Sequence, residues 1–212
     1  MKKERGKKMK IENIRVMATK DLAKVSTTWH LENWLKQYRP YFEKEDYYKS
    51  MQKELLVAKQ IEELSNHKLK CKFTGLGAGK VLKLEGEEWE YISDRPLDLT
   101  VYYNEEKEPR CRIEVQATYK YTFEGSTILP VQEDKTKKAL RSGLKHYFVY
   151  IHDFEGTLDI HWSTTEEIIE YPAINMRTKL KGKIVYQTQH PTSTAIWKEG
   201  LTDLVETILR NS

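Results

Sequence analysis

Residues 95–119, RPLDLTVYYNEEKEPRCRIEVQATY, constrain the fold more than any other stretch of the chain. Two alternating runs flank a polar break that contains Pro109, the pattern of a β-hairpin. In the first run Leu97, Leu99, Val101 and Tyr103 share one face, while Asp98 and Thr100 point to the other. In the second, Cys111, Ile113, Val115 and Ala117 share a face, with Glu114 and Gln116 opposite them. Folding about the middle of the break, between Glu106 and Lys107, sets Asp98 across from Val115 to within a residue, and hence beside Glu114 or Gln116. Two carboxylates and an amide then crowd one patch of sheet. Crowded carboxylates repel unless a proton or a metal ion relieves them.

A third acid is placed by helical rather than strand periodicity. Over residues 49–64 the mean direction of Met51, Leu55, Leu56, Val57, Ala58, Ile61 and Leu64 falls almost on Glu54. An acid centred on an apolar face is expensive without a partner. Either it snorkels or pairs with a lysine, or it reaches the cluster of Asp98 and Glu114.

The remaining elements follow from local signals. Leu31, Trp34, Leu35 and Tyr38 predict a helix over 28–38, capped by Thr27 or Thr28 and ended by Pro40. The aromatics around it, interleaved with cations, are read as packing residues in preference to base-stacking ones. Strands are expected over 69–73, 80–84 and 89–92. The intervening TGLGAGK fits neither GxxxxGK[ST] nor GxGxxG and is read as a turn. Further on come a loop over 122–130, a basic helix over 132–143 ended by Gly143, a buried strand over 146–151 and another over 158–162. A capping box at Ser163–Glu166 opens a helix to Tyr171, and an amphipathic helix over 195–209 closes the chain. The single histidines His152 and His161 are read as strand-edge residues.

The 212 residues, with 39% hydrophobic, suit one core with a small extension or two small domains. A mean hydropathy of −0.72, the lack of any apolar run of membrane-spanning length, and an N-terminus without a signal-peptide core predict an intracellular, cytoplasmic protein with no membrane partner. The net charge of +4 permits a nucleic-acid partner without demonstrating one. Six Lys or Arg against one Glu in residues 1–10 read as a solvated tail, with a phosphate-contacting arm as the alternative. Cys71 and Cys111 are expected to be buried free thiols. No HExxH, Cys-His ligand set or GxSxG elbow is present.

The order of elements (helix with an inward Glu, strands, Asp in one strand, Glu-x-Gln in the next, helix, strand) resembles the core of the PD-(D/E)xK nuclease superfamily. Pro96-Leu97-Asp98 and Glu114-Val115-Gln116 match its two half-motifs, and Glu54 matches the acid of its first core helix, over roughly residues 49–170. Leu97 separates Pro96 from Asp98, and Gln116 stands where lysine is usual, a Glu-x-Gln variant found in some restriction enzymes of the superfamily.

The resemblance implies an α/β fold: a central mixed β-sheet flanked by helices, with a basic tail and helical extension over 1–48, the core over 49–171, and a C-terminal strand and helix over 172–212. It implies a DNA endonuclease of the restriction type, with a Holliday-junction resolvase, a repair nuclease or a catalytically inactive nuclease-like nucleic-acid-binding protein as alternatives. From a different class, an interaction protein with an ordinary acidic surface remains open. Asp98 and Glu114, with the carbonyl of Val115, would hold Mg2+ (Mn2+ substituting), and Glu54 and Gln116 would complete the catalytic set. Lys120, or Lys135, Lys137 or Lys138, would stand in for the missing lysine. Phosphate contacts are expected from Lys135, Lys137, Lys138, Arg141, Arg177, Lys181 and Lys183. A homodimer is expected by analogy with enzymes that cut both strands.

Overall fold

The computed structural model describes residues 13–22, 24–74, 98–104, 106–117, 121–123, 126–154, 157–170, 173–176, 183–189 and 197–210. The expected strands 80–84 and 89–92, the TGLGAGK turn beyond Thr74, Pro96, Leu97, Lys120, Arg177 and Lys181 lie outside them. After a helix over 13–22 (α1) come α2 (Thr28–Phe42), α3 (Asp46–Leu64), β1 (Leu69–Phe73), β2 (Leu99–Tyr103) and β3 (Pro109–Ala117). Then follow β4 (Tyr121–Phe123), β5 (Ser126–Gln132), α4 (Glu133–Arg141), β6 (Lys145–Phe154), β7 (Thr157–Thr164) and α5 (Thr165–Ile169). The chain continues through β8 (Ala173–Met176), β9 (Lys183–Gln189), β10 (Lys198–Glu199) and α6 (Thr202–Arg210).

Six strands form a mixed sheet in the order β1-β2-β3-β6-β7-β10, in which β3 and β6 run parallel and the other neighbours antiparallel. This is the α/β class with a helix-flanked central sheet. Strand β6 explains why both faces must be covered. Tyr147, Val149 and Ile151 point one way and Phe148 and Tyr150 the other, and all five are buried. The first set packs with Leu31, Trp34, Met51, Ile61, Leu204 and Ile208 from α2, α3 and α6. The second packs with Val131, Ile168 and Trp197 on the side of α4 and α5. In the aromatic region Trp34, Tyr38, Phe42 and Tyr48 are in the core as expected, whereas Trp29 and Tyr41 are exposed and do not pack. Cys71 and Cys111 flank Val101 on adjacent strands and are free and buried.

Several expectations give way to tertiary contacts. Helix α2 runs through Pro40 to Phe42 instead of ending there. Proline costs the last turn one hydrogen bond, but Phe42 is buried and stacks against Trp34, at 6.3 Å between centroids and 6° between planes. Residues read as a loop over 122–130 belong to β4 and β5. These join β9 and β8 in a second, four-stranded antiparallel sheet in the order β4-β5-β9-β8. Gly125 and Ser126 suggested a loop there, but β4 and β5 pair with each other as a hairpin, and β5 from Ile128 onward also pairs with β9, remote in sequence.

The capping box is Thr164–Glu167, one residue later than Ser163–Glu166, and α5 stops at Ile169, short of Tyr171. Both spacings exist in the sequence; Ser163 is still paired with Phe148 in the sheet and is fully buried, so the cap falls to Thr164. The closing helix begins at Thr202, not near 195, because β10 and Gly200 (φ +71°) intervene. The N–H of Gly200 donates to Ile160 O at 2.8 Å. A Cβ at Gly200 would meet nothing, so Gly200→Ala isolates the backbone strain. It is expected to lower stability by about 1–2 kcal/mol, read from the urea midpoint.

Candidate active site

The site lies where β2 begins. Leu99 pairs with Ile113, which brings Asp98 level with Glu114, one residue from the expected Val115. Asp98 continues the ladder with its side chain: the N–H of Val115 donates to Oδ2 at 2.9 Å. In a strand the N–H and C=O of one residue point to the same side. The Val115 carbonyl is therefore directed toward Asp98 and not into the β6 ladder.

Glu114 projects from β3 on the face it shares with its neighbour Phe148 and is 3% exposed. That face is covered by α4. Thr136 and Ala139 turn inward from α4, and Lys135, one turn before Ala139, lies on the same side. Its ammonium is in direct contact with Glu114 Oε1. Gln116, half-buried, follows on the same face of β3, beside Tyr150.

Glu54 comes from α3, within the buried face formed by Met51, Val57, Ala58 and Ile61, and is 4% exposed. Ser50, one turn earlier, donates to Glu54 Oε1 at 3.3 Å, while Oε2 is buried without a hydrogen-bond partner. Burial pushes the Glu54 pKa well above the usual carboxylate value, and the negative charge of Asp98 pushes it further. The Ser50 hydroxyl and Lys135 oppose that rise. Burial likewise raises the Asp98 pKa, against Lys135 and the Val115 N–H, although part of the Asp98 surface is open to solvent. Lys135 thus acts electrostatically on Asp98 and Glu54 and pairs directly with Glu114.

Among the described residues no three His, Cys, Asp or Glu side chains are spaced to hold a metal ion as they stand. The cation in the cluster is the lysine. Two carboxylates and a carbonyl are nevertheless a hard oxygen set of the kind Mg2+ takes, since it needs only one or two carboxylates and keeps waters. The unpartnered Glu54 Oε2 is an acceptor for such a water.

The expected phosphate contacts fare differently from one another. Lys135 turns into the cluster, Lys137 pairs with Glu133 at 2.9 Å, and Lys138 and Arg141 are exposed. Lys183 begins β9. His161, read as a strand-edge residue, is buried on β7 with Nε2 2.8 Å from Asp159 Oδ2. Ser50 was missed by sequence reasoning, although its place four residues before Glu54 is a helical-neighbour signal.

The raised Glu54 pKa has a measurable consequence. Its penalty is absent below the ordinary carboxylate pKa and grows as pH rises through the folded-state value. Metal-free Glu54→Gln is therefore expected to be more stable than the parent at pH 8, by about 1–3 kcal/mol, with the gap closing toward pH 4. Urea unfolding at both pH values checks this.

No family model matches the chain, and no curated protein matches it. Among solved structures it is similar to a nuclease from a fusselovirus, at 20% identity over 54% of this chain and 67% of that one, with a TM-score of 0.38. A likeness of that size decides neither fold nor chemistry.

Proposed function

We propose that this chain is a metal-dependent DNA endonuclease of the restriction type, hydrolysing phosphodiester bonds at the cluster of Asp98, Glu114 and Glu54. The observation that carries the reading is the convergence on one lysine of two buried acids, Glu54 of α3 and Glu114 of β3, and the half-buried Asp98 just before β2. A bound Mg2+ or Mn2+ would neutralise phosphate charge and acidify a water. Asp98, Glu114 and the Val115 carbonyl would hold it. The Val115 N–H fixes Asp98 Oδ2, leaving Oδ1 for the ion.

Glu54, its proton affinity raised by burial, accepts a proton of the attacking water at Oε2. Gln116 orients that water by hydrogen bonding. Lys135 supplies from α4 the positive charge that Gln116 does not carry, and so faces the scissile phosphate. Lys138 and Arg141, with Arg177, Lys181 and Lys183, contact flanking phosphates. A homodimer in the cytoplasm completes the proposal.

A second reading, DNA binding without cleavage, draws on the Lys135–Glu114 pair, which satisfies that acid without a metal. Supercoiled, linear, single-stranded and four-way-junction DNA incubated with Mg2+, Mn2+ or EDTA separate the possibilities. Metal-dependent nicking is the expected result, and preference for the junction would identify a resolvase. Salt-sensitive binding with no cut selects the second reading, and no salt-sensitive affinity at all removes both.

A further inference from the structure

Strand β1 is an edge of the six-stranded sheet, and a cleft of about 420 Å³ opens along it. Its outward N–H groups are already occupied. Leu69 N donates to Ser65 Oγ at 3.1 Å, Cys71 N to Glu62 Oε1 at 3.0 Å, and Phe73 N to Ser26 O at 3.0 Å. A further strand therefore finds no ladder to join here. What the cleft offers instead is rings and cations. Trp29, at 68% the most exposed large hydrophobic side chain among the described residues, stands at the start of α2. Tyr102 lies within the cleft, with Lys72 Nζ 4.3 Å from its ring centroid. Lys70 and Lys72 are both exposed.

Of the two carboxylates in the lining, Glu106 is neutralised by a cation outside the cleft and Glu62 keeps its charge. Glu62 is engaged by Cys71 N and by the Thr28 hydroxyl at 3.2 Å. Glu106 is held by both Nε and Nη2 of Arg110, at 2.9 and 2.7 Å. With Glu106 paired to Arg110, Lys70 and Lys72 outnumber Glu62, and the cleft keeps a net positive charge beside Trp29 and Tyr102. Tyr102 is four residues along β2 from Asp98, about 13 Å at strand rise, and its partner Lys72 pairs with Thr100 between them.

We propose that this cleft binds an unpaired DNA strand, with a base stacking on the exposed Trp29 ring and phosphates on Lys70 and on Lys72, which is braced against Tyr102. The inference rests on the nuclease reading for its DNA and names the form of substrate that reading leaves open. Rings accept the faces of unstacked bases, whereas bases in a duplex are covered by their neighbours. The charge alone would serve any phosphate backbone; the Trp29 ring discriminates.

The test is fluorescence anisotropy in EDTA, with a labelled oligothymidylate and a blunt hairpin duplex of equal phosphate number. Trp29→Ala is expected to weaken the oligothymidylate about tenfold while changing the duplex by less than about twofold. Trp29→Phe should retain most of the affinity. Lys72→Ala should weaken the single strand and lower the slope of log affinity against log salt by about 1. Unchanged oligothymidylate binding in Trp29→Ala and Lys72→Ala, or an equal loss for both DNA forms, overturns the proposal. Because EDTA silences any cutting, this result stands apart from the nuclease reading, whose failure would appear as uncut DNA with wild type in Mg2+.

Discussion

Plasmid incubated with Asp98→Ala or Glu114→Ala in Mg2+ is expected to stay supercoiled over times in which wild type nicks it. The loss should be at least about 10³-fold, because removing a carboxylate that holds the ion forfeits several kcal/mol of transition-state stabilisation. The two substitutions remove different things. Asp98→Ala deletes the acceptor for Val115 N–H, a single 2.9 Å bond at the mouth of the hairpin. Glu114→Ala deletes the partner of Lys135, whose side chain is 34% exposed and can turn to water. Neither loss unfolds the core, which is built on the opposite faces of both strands by Leu99, Val101, Cys111 and Ile113. Comparable cutting by both purified variants would remove the nuclease assignment.

Lys135→Ala should have the largest effect on stability. It leaves Glu114 buried and unpaired, and it removes the positive charge that opposes the raised pKa values of Asp98 and Glu54. Breaking such a pair costs about 3–5 kcal/mol, and the partial exposure of Lys135 places the expectation near about 3 kcal/mol in EDTA. The deficit should shrink at low pH, as the acids protonate, and on adding Mg2+, which replaces the lost charge. Thermal melts in EDTA and in Mg2+ read both effects. Equal melting of the variant and wild type in EDTA would show that the lysine does not balance the acids.

The parts of this site that the sequence made legible are those governed by a short period. Alternation in residues 97–103 and 111–117 placed Asp98 beside Glu114 to within one residue. The helical wheel of α3 placed Glu54 on the buried face. Position along a strand or helix fixes which way a side chain points, and that survives translation into three dimensions.

What was illegible depends on partners distant in the chain. Lys135 reads as one more cation of a basic helix. Only the crossover from β3 through α4 to the parallel β6 lays that helix over Glu114. Pro40 reads as a helix end, and only the stacking of Phe42 on Trp34 carries the helix past it. Strand β5 also pairs with β9, more than 50 residues away in sequence. Likewise, Trp29, Lys72 and Tyr102 are separated by tens of residues; the antiparallel β1–β2 register brings Lys72 to Tyr102, and a bridge from Thr27 to Lys72 brings the start of α2 to the same edge.

In the proposed chemistry, acids from different elements take up a divalent cation. Manganese binding followed by electron paramagnetic resonance addresses this without requiring activity. Titrating Mn2+ into wild type, Asp98→Asn and Glu114→Gln at neutral pH should show the free-ion signal depleted by wild type, and depleted far less by either variant. Equal Mn2+ uptake by the double variant Asp98→Asn/Glu114→Gln, or none by wild type, would contradict it.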